Sequence, residues 1–356
     1  MEVENMEDQE QFTDVVERVK AALAGVASST GATMLPTETA DEIIEIVYEK
    51  NFMRSVFPSI PMTYRTLNVP SLTGSVSFHE QTLASTESGT AAGESRPATG
   101  EVVLTLKTMI ANIPIGNYLI AYGVEGLLSV IRDDIGNRLA YNEQGCFLNG
   151  DTVTTTSYAD NINGAWHTST NTGGVNATNN DYLLMFDGLR KLATATSVTV
   201  AGSFAATSLA TAIKNLGVYA ENRDDLCMIV SRNLEVQILG LTQLQTVDKY
   251  GPAATILSGE VGKIYGVRVF ATAVMPDNLD DTGVVPSGHN GTKTMALVLH
   301  TRSPLIGNPT NADRRFSIEF HDEPTKDRFV LVPRVDVAFN VRYPAAICKI
   351  LDLSTV

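Results

Sequence analysis

The stretch Asn117–Asp151, NYLIAYGVEGLLSVIRDDIGNRLAYNEQGCFLNGD, decides how the rest of the chain is read. Ile120, Val124, Leu127, Leu128, Ile131, Ile135 and Leu139 recur every three or four positions, which lines one face of a helix of roughly seven turns. Arg132, Asp133, Asp134, Arg138 and Glu143 fall off that stripe, so one side should pack on a sheet or loop while the other meets water. Asn149-Gly150-Asp151 is a turn signal that ends the helix and starts a new region.

The chain has 356 residues, enough for one large or two linked domains with real cores. Hydrophobic residues make up 44% and charged ones 19%, which is globular rather than disordered material. With 40 acidic against 26 basic residues the formal net charge is −14. That balance argues against a grip on nucleic acid through general phosphate neutralisation, which needs a local surplus of Lys and Arg. Cys146, Cys227 and Cys348 are far apart and form no CxxC pair, so buried free thiols are expected rather than a disulfide framework. The opening MEVENMEDQE is acidic where a secretory signal would be basic, and no apolar run approaches membrane-spanning length. The sequons at Asn176 and Asn290 are therefore treated as chance matches.

Residues 1–35 form a polar arm in which Phe12, Val15, Val16, Val19, Leu23 and Val26 keep helical spacing. Thr39 and Glu42 make a capping box for a helix from Ala40 to about Phe52, stopped by Pro58 and Pro61. From Met62 to Met109 an extended segment enters a Gly, Ser and Thr-rich tract and returns as Glu101–Lys107, a pattern for a long hairpin with little core of its own. Residues 152–304 read as a separate α/β lobe. Helices are expected over Tyr182–Leu192, Ala205–Leu216 and Arg232–Leu241, with strands at Leu226–Val230 and Tyr265–Phe270. Strands return at Phe316–Phe320, Phe329–Val332, Asp336–Val341 and Tyr343–Leu351, where alternation suits a sheet half covered by the long helix.

Glu143, Cys146, Phe147, Leu148, Asn149, Gly150 and Asp151 match a motif that closes the spine helix of the major capsid proteins of tailed double-stranded DNA phages, the Hong Kong 97 type of shell protein. The chain resembles that family in its flanking parts too. Lys107–Leu119, KTMIANIPIGNYL, is similar to the entry into the spine, and Arg328, Arg334, Arg342 and Pro344-Ala345-Ala346 to its close. The resemblance implies an α+β fold with an N-terminal arm (1–35), a P-domain N-terminal helix (36–61), an E-loop (62–110), a P-domain spine helix (111–151), an A-domain (152–304) and P-domain C-terminal strands (305–356).

It also implies a coat protein whose pentamers and hexamers enclose phage DNA in an icosahedral shell. The chain would be found in the virion after assembly in the host cytoplasm. Implied partners are further copies of the chain, portal and scaffolding proteins, decoration proteins where the phage uses them, and packaged duplex held without sequence-specific binding. The alternative is an encapsulin-type nanocompartment, against which the N-terminal arm argues.

No catalytic constellation is present, so no enzyme activity, cofactor, metal or membrane partner is expected. His79-Glu80 lacks the second His of HExxH, and there is no GxSxG, Walker loop or GxGxxG opening a helix. The residues expected at contacts between subunits are Glu87, Glu94, Arg96, Arg132, Arg138, Arg314 and Arg315, with Asp313 and Glu319 beside the last pair favouring ion pairs over phosphate binding.

Some members of the resembled family weld neighbouring subunits through an isopeptide bond from an E-loop lysine, a reaction that needs a desolvated amine and a carboxylate to move its proton. Residues 51–106 contain no lysine, and Lys107 sits at the base of the returning strand. Particles boiled in detergent should therefore run as a single band at the chain mass on a denaturing gel. A ladder of linked multimers would overturn this.

Overall fold

The computed structural model describes residues 51–72, 78, 98–117, 127–153, 161–163, 182–241, 244–245, 260–286 and 290–355. The N-terminal arm, the Thr39–Glu42 capping box and most of its helix, the Ser85–Gly100 tract apart from its last residues, and Trp166 lie outside them. Helix α1 (Phe52–Val56) leads into β1 (Ser59–Met62), and then come β2 (Thr66–Leu72), β3 (Thr99–Thr105), β4 (Lys107–Ile110), β5 (Ile113–Gly116) and the long helix α2 (Leu127–Asn149). Next follow α3 (Leu189–Leu192), β6 (Val198–Gly202), α4 (Ala206–Leu216), β7 (Leu226–Ser231), α5 (Arg232–Leu239), β8 (Leu244–Gln245), β9 (Glu260–Ile264), β10 (Val267–Thr272), β11 (Lys293–His300) and β12 (Pro304–Pro309). The short helix α6 (Ala312–Arg315) precedes β13 (Ser317–Glu323), β14 (Arg328–Val341) and β15 (Ile347–Ser354).

The chain divides into two compact units. The larger takes residues 48–107, 139–310 and 337–356 and is built on a seven-stranded sheet in the order β6-β15-β11-β7-β10-β9-β8. All six residues of β7 are buried, as expected of a central strand covered on both faces. On one face Leu209, Ala212 and Leu216 of α4 and Leu234 and Ile238 of α5 join Met228, Val230, Val267, Val269, Val298 and Ile350 in one core. On α1, Phe52 stacks on Phe270 of β10 with ring centroids 5.1 Å apart. Capping fixes where the helices begin and end: Ser231 accepts from the Leu234 amide at the start of α5, and Gly217, at φ +56°, closes α4.

The same unit anchors the hairpin. β2 and β3 pair antiparallel from Thr66↔Thr105 to Leu72↔Thr99. Leu104 of β3 is fully buried with Met62, Leu305 and Ala338, from strands β1, β12 and the end of β14. Asn340 donates to the Val103 carbonyl and Arg342 to that of Pro70, each at 2.9 Å. β1 runs parallel to β12, where a Cβ on Gly307 would lie 2.9 Å from that of Ala338 and run into the Met62 sulfur, so only glycine fits this crossing.

The smaller unit includes residues 108–138 and 311–336. β13 and β5 each pair antiparallel with the first part of β14. The β13–β14 turn places Asp327 at φ +48°, and Asn117 braces it by donating its backbone and side-chain N–H to the Asp327 carbonyl and Oδ1 at 3.1 and 3.0 Å. Arg334 pairs with Glu319 at 2.9 Å on the same sheet.

Several expectations are corrected. The helix expected over Tyr182–Leu192 is a 3₁₀ turn at Tyr182–Leu184 and then α3, interrupted at Gly188, whose added Cβ would stand 2.6 Å from the Gly150 nitrogen. Tyr265 and Gly266 are a tight turn with φ of +51° and +84°, so the strand starts at Val267. Phe329–Val332 and Asp336–Val341 are one strand, β14, running through Pro333. β15 lies between β6 and β11 in the seven-stranded sheet, and its residues are mostly buried rather than alternating.

Because Leu104 is a core residue of the larger unit rather than part of a free hairpin, Leu104→Ala should lower unfolding free energy by about 2–5 kcal/mol. Denaturant unfolding of the subunit measures it; a loss below about 0.5 kcal/mol would detach the hairpin base from the core.

Candidate functional site

The last two turns of α2 are buried all round, from Glu143 to Asn149. A charged face extending to Glu143 is therefore not what forms: Asp133, Asp134 and Arg138 are exposed, but the Glu143 side chain is wholly enclosed. Arg54 of α1 meets it with both fork nitrogens, Nε on Oε2 at 2.7 Å and Nη2 on Oε1 at 2.5 Å, and Asn51 donates to Oε2 at 3.0 Å. The third guanidinium nitrogen donates to Asn308 of β12 at 3.0 Å. A carboxylate taken out of water is tolerated when its lone pairs are met this fully. The same Asn51 caps α1 through the Met53 amide.

Beyond the helix end lies a second polar cluster. Arg190 of α3 is buried, and its Nη1 donates to the amide oxygens of Asn149 at 3.1 Å and Asn163 at 3.2 Å, while Nη2 donates to the Gly283 carbonyl at 2.8 Å. Burial draws its guanidinium down to about 10, with Asp151 and Asp280 acting the other way. The Asn149 side chain donates in turn to the Val274 carbonyl and that of Asn163 to the Asn149 carbonyl, both at 2.7 Å. Asp151 accepts the amides of Val153 and Ile162 at 3.0 Å and the ammonium of Lys191 at 2.6 Å. Lys191 also reaches Asp187 at 3.0 Å. Burial pushes the Asp187 carboxyl up, yet bonds from Thr152 and Lys191 outweigh it and hold it below its ordinary value.

Each residue of the Asn-Gly-Asp turn thus has a structural task. Gly150 has none to spare for a side chain, since a Cβ there would strike the Phe186 and Cys146 carbonyl oxygens. Phe147, on the same turn of α2, stacks on Phe339 at 4.7 Å. Lys107 folds back onto its own unit, donating to the Met185 carbonyl with its ammonium 5.6 Å from the Phe186 ring centroid. Sequence reasoning missed Arg54, Arg190 and Lys191, because an isolated Arg or Lys on a short helix carries no local signal of burial.

Of the residues expected at subunit contacts, Glu87, Glu94 and Arg96 and the side chain of Arg132 lie outside the described residues. Arg138 is exposed, 3.7 Å from Asp134. Arg314 is exposed and stands 3.7 Å from Asp336 of its own chain, and Arg315 is exposed beside it. Glu319, named beside that pair, is engaged by Arg334 of its own sheet. The three cysteines are free and buried; burial pushes the Cys227 thiol up to about 12 and that of Cys348 to about 11, so neither is a nucleophile. Among the described residues no cluster fit to hold a metal ion occurs, and no helix is long and apolar enough to cross a membrane.

The architecture is that of the Hong Kong 97-type capsid fold. The chain superposes on one from the capsid of a native GTA particle with a TM-score of 0.52 at 14% identity, covering 92% of this chain and 94% of that one. It superposes on the mature capsid of bacteriophage PhiM1 with a TM-score of 0.51 at 12% identity, covering 85% and 86%, and on a structure of Mycobacterium phage Adephagia with 0.53 at 12%, covering 84% and 89%. The phage capsid family matches residues 31–350, and the chain belongs to that family. A major capsid protein of Klebsiella oxytoca phage phiKO2 is 27% identical over 150 residues, a stretch that spans 41% of this chain and 34% of that relative.

Removing one partner of the enclosed pair strands the other. Glu143→Leu or Arg54→Met alone should lower subunit stability by about 3–5 kcal/mol, whereas the two changes together should recover most of it. Equilibrium denaturation of the four chains in the cycle tests this; a single-mutant loss under about 1 kcal/mol would mean that the pair is solvated.

Proposed function

We propose that this chain is a major capsid (coat) protein whose copies self-assemble into the pentamers and hexamers of an icosahedral shell around double-stranded phage DNA. The observation that carries the reading is the hairpin. Its base is packed into the core through Leu104, while Tyr64 is 79% exposed and Phe78 97% exposed. A two-stranded ribbon is marginal in water without further cover, which a second copy of the chain would supply. The relatives described above favour a phage shell over an encapsulin-type compartment.

The contacts between copies are assigned to Glu87, Glu94, Arg96, Arg132, Arg138, Arg314 and Arg315, together with the hairpin. Each exposed pair is weak alone and counts through repetition at every interface. The role is structural and needs no catalytic group or cofactor. Portal, scaffolding and decoration proteins are further partners, the site of action is the virion, and assembly takes place in the host cytoplasm. A chain at −14 leaves the duplex free to move along the wall.

Electron microscopy of the purified protein should show closed shells. Arg138→Glu removes only a solvent-exposed charge, so subunit stability should move by less than about 0.5 kcal/mol while the yield of shells falls. Monomers that persist at high concentration would sink the shell reading; normal yield from the variant would remove Arg138 from the contacts alone.

A further inference from the structure

The sequence holds three Asn-Gly dipeptides, Asn149-Gly150, Asn163-Gly164 and Asn290-Gly291. Such a pair can react without any enzyme. The glycine backbone nitrogen, unhindered by a side chain, loses its proton and attacks the Asn Cγ; ammonia leaves, and the cyclic succinimide takes up water to open as aspartate or isoaspartate. Reaction requires the amide to rotate until nitrogen and Cγ are in attacking geometry. We propose that Asn290 is a site of spontaneous deamidation, and that Arg190 withholds Asn149 and Asn163 from the same reaction.

Asn149 and Asn163 are both buried, and each amide is held at both ends: its oxygen by Arg190 Nη1, its nitrogen by the carbonyl of Val274 or of Asn149. Rotating either one breaks two buried hydrogen bonds, and unmet polar groups in a dry site are costly. The attacking nitrogen of Gly150 is engaged as well, donating to the Cys146 carbonyl at 3.1 Å. A donor on an amide oxygen does activate the carbon beside it. That activation has no effect while the nucleophile cannot approach.

Asn290 differs in each respect. It is exposed, and its side chain has no hydrogen bond among the described residues. The glycine after it is imposed by the fold, because a Cβ on Gly291 would collide with the carbonyl oxygens of Asn278 and Leu279. The labile pair is thus tied to the place where Lys293 bridges Leu279 by two backbone bonds of 2.8 and 3.1 Å. Isoaspartate at 290 would add a negative charge and one backbone carbon just ahead of that bridge.

The test is peptide mapping by mass spectrometry after the full chain is held at mildly alkaline pH, folded or in urea. In the folded chain Asn290 should convert on the order of 100-fold faster than Asn149 or Asn163, and in urea the three should converge. Arg190→Lys keeps the charge but offers one nitrogen where Arg190 uses two, Nη1 on both amide oxygens and Nη2 on the Gly283 carbonyl, so in the folded variant Asn149 or Asn163 should begin to convert. An intact Asn290 in the folded wild type, or Asn149 and Asn163 reacting as fast as Asn290, overturns the proposal. So does a folded Arg190→Lys chain with both sites still protected; if that variant does not fold, the wild-type comparison decides alone.

Discussion

Two guanidinium groups removed from water set the terms for everything around them. An unpaired buried charge costs more than most single contacts return, so the segments near Arg54 and Arg190 must present oxygens at fixed positions. Arg54 thereby ties α1 and β12 to the closing turns of α2, and Arg190 ties the loop at 161–163 and the carbonyl of Gly283 to the turn that follows. Hydrophobic packing alone is tolerant of small shifts. Bidentate and multi-point hydrogen bonding is not, and it supplies the geometric definition that a subunit repeated many times over a closed surface requires.

The long helix, the hairpin strands and the core strand β7 were legible in the sequence because each carries its own periodicity or apolar run. The Asn-Gly-Asp turn was legible as a turn, but not as the point on which Arg190, Asn163 and Lys191 converge, since those partners arrive from distant positions. Glu143 shows the limit most plainly. Its place off the apolar stripe argued for solvent, and only the approach of Arg54 from 89 residues away makes burial favourable. β11, KTMALVLH, went unread although residues 295–299 form the same kind of continuous apolar run that marks β7. Gly188 likewise gives no local sign that a neighbouring backbone lies against it.

The hairpin separates two demands that usually conflict. Leu104 and the bonds from Asn340 and Arg342 hold its strands to one chain, while Tyr64, just ahead of β2, and Phe78 remain uncovered. Strands anchored in this way fix the direction of the ribbon without committing those two aromatics. Preorganisation of this kind lowers the ordering entropy that docking would otherwise have to overcome.

The position of β15 has a consequence for the order in which the chain folds. β6 joins the seven-stranded sheet only through β15, and β15 is made long after β6, α4 and β7. Until it forms, the earlier elements leave an open gap between β6 and β11, and the closing event is a long-range pairing of the kind that slows folding. Until β15 is in place the larger unit lacks the Gln237 side-chain bond to the Ser354 carbonyl that ties α5 to the end of that strand.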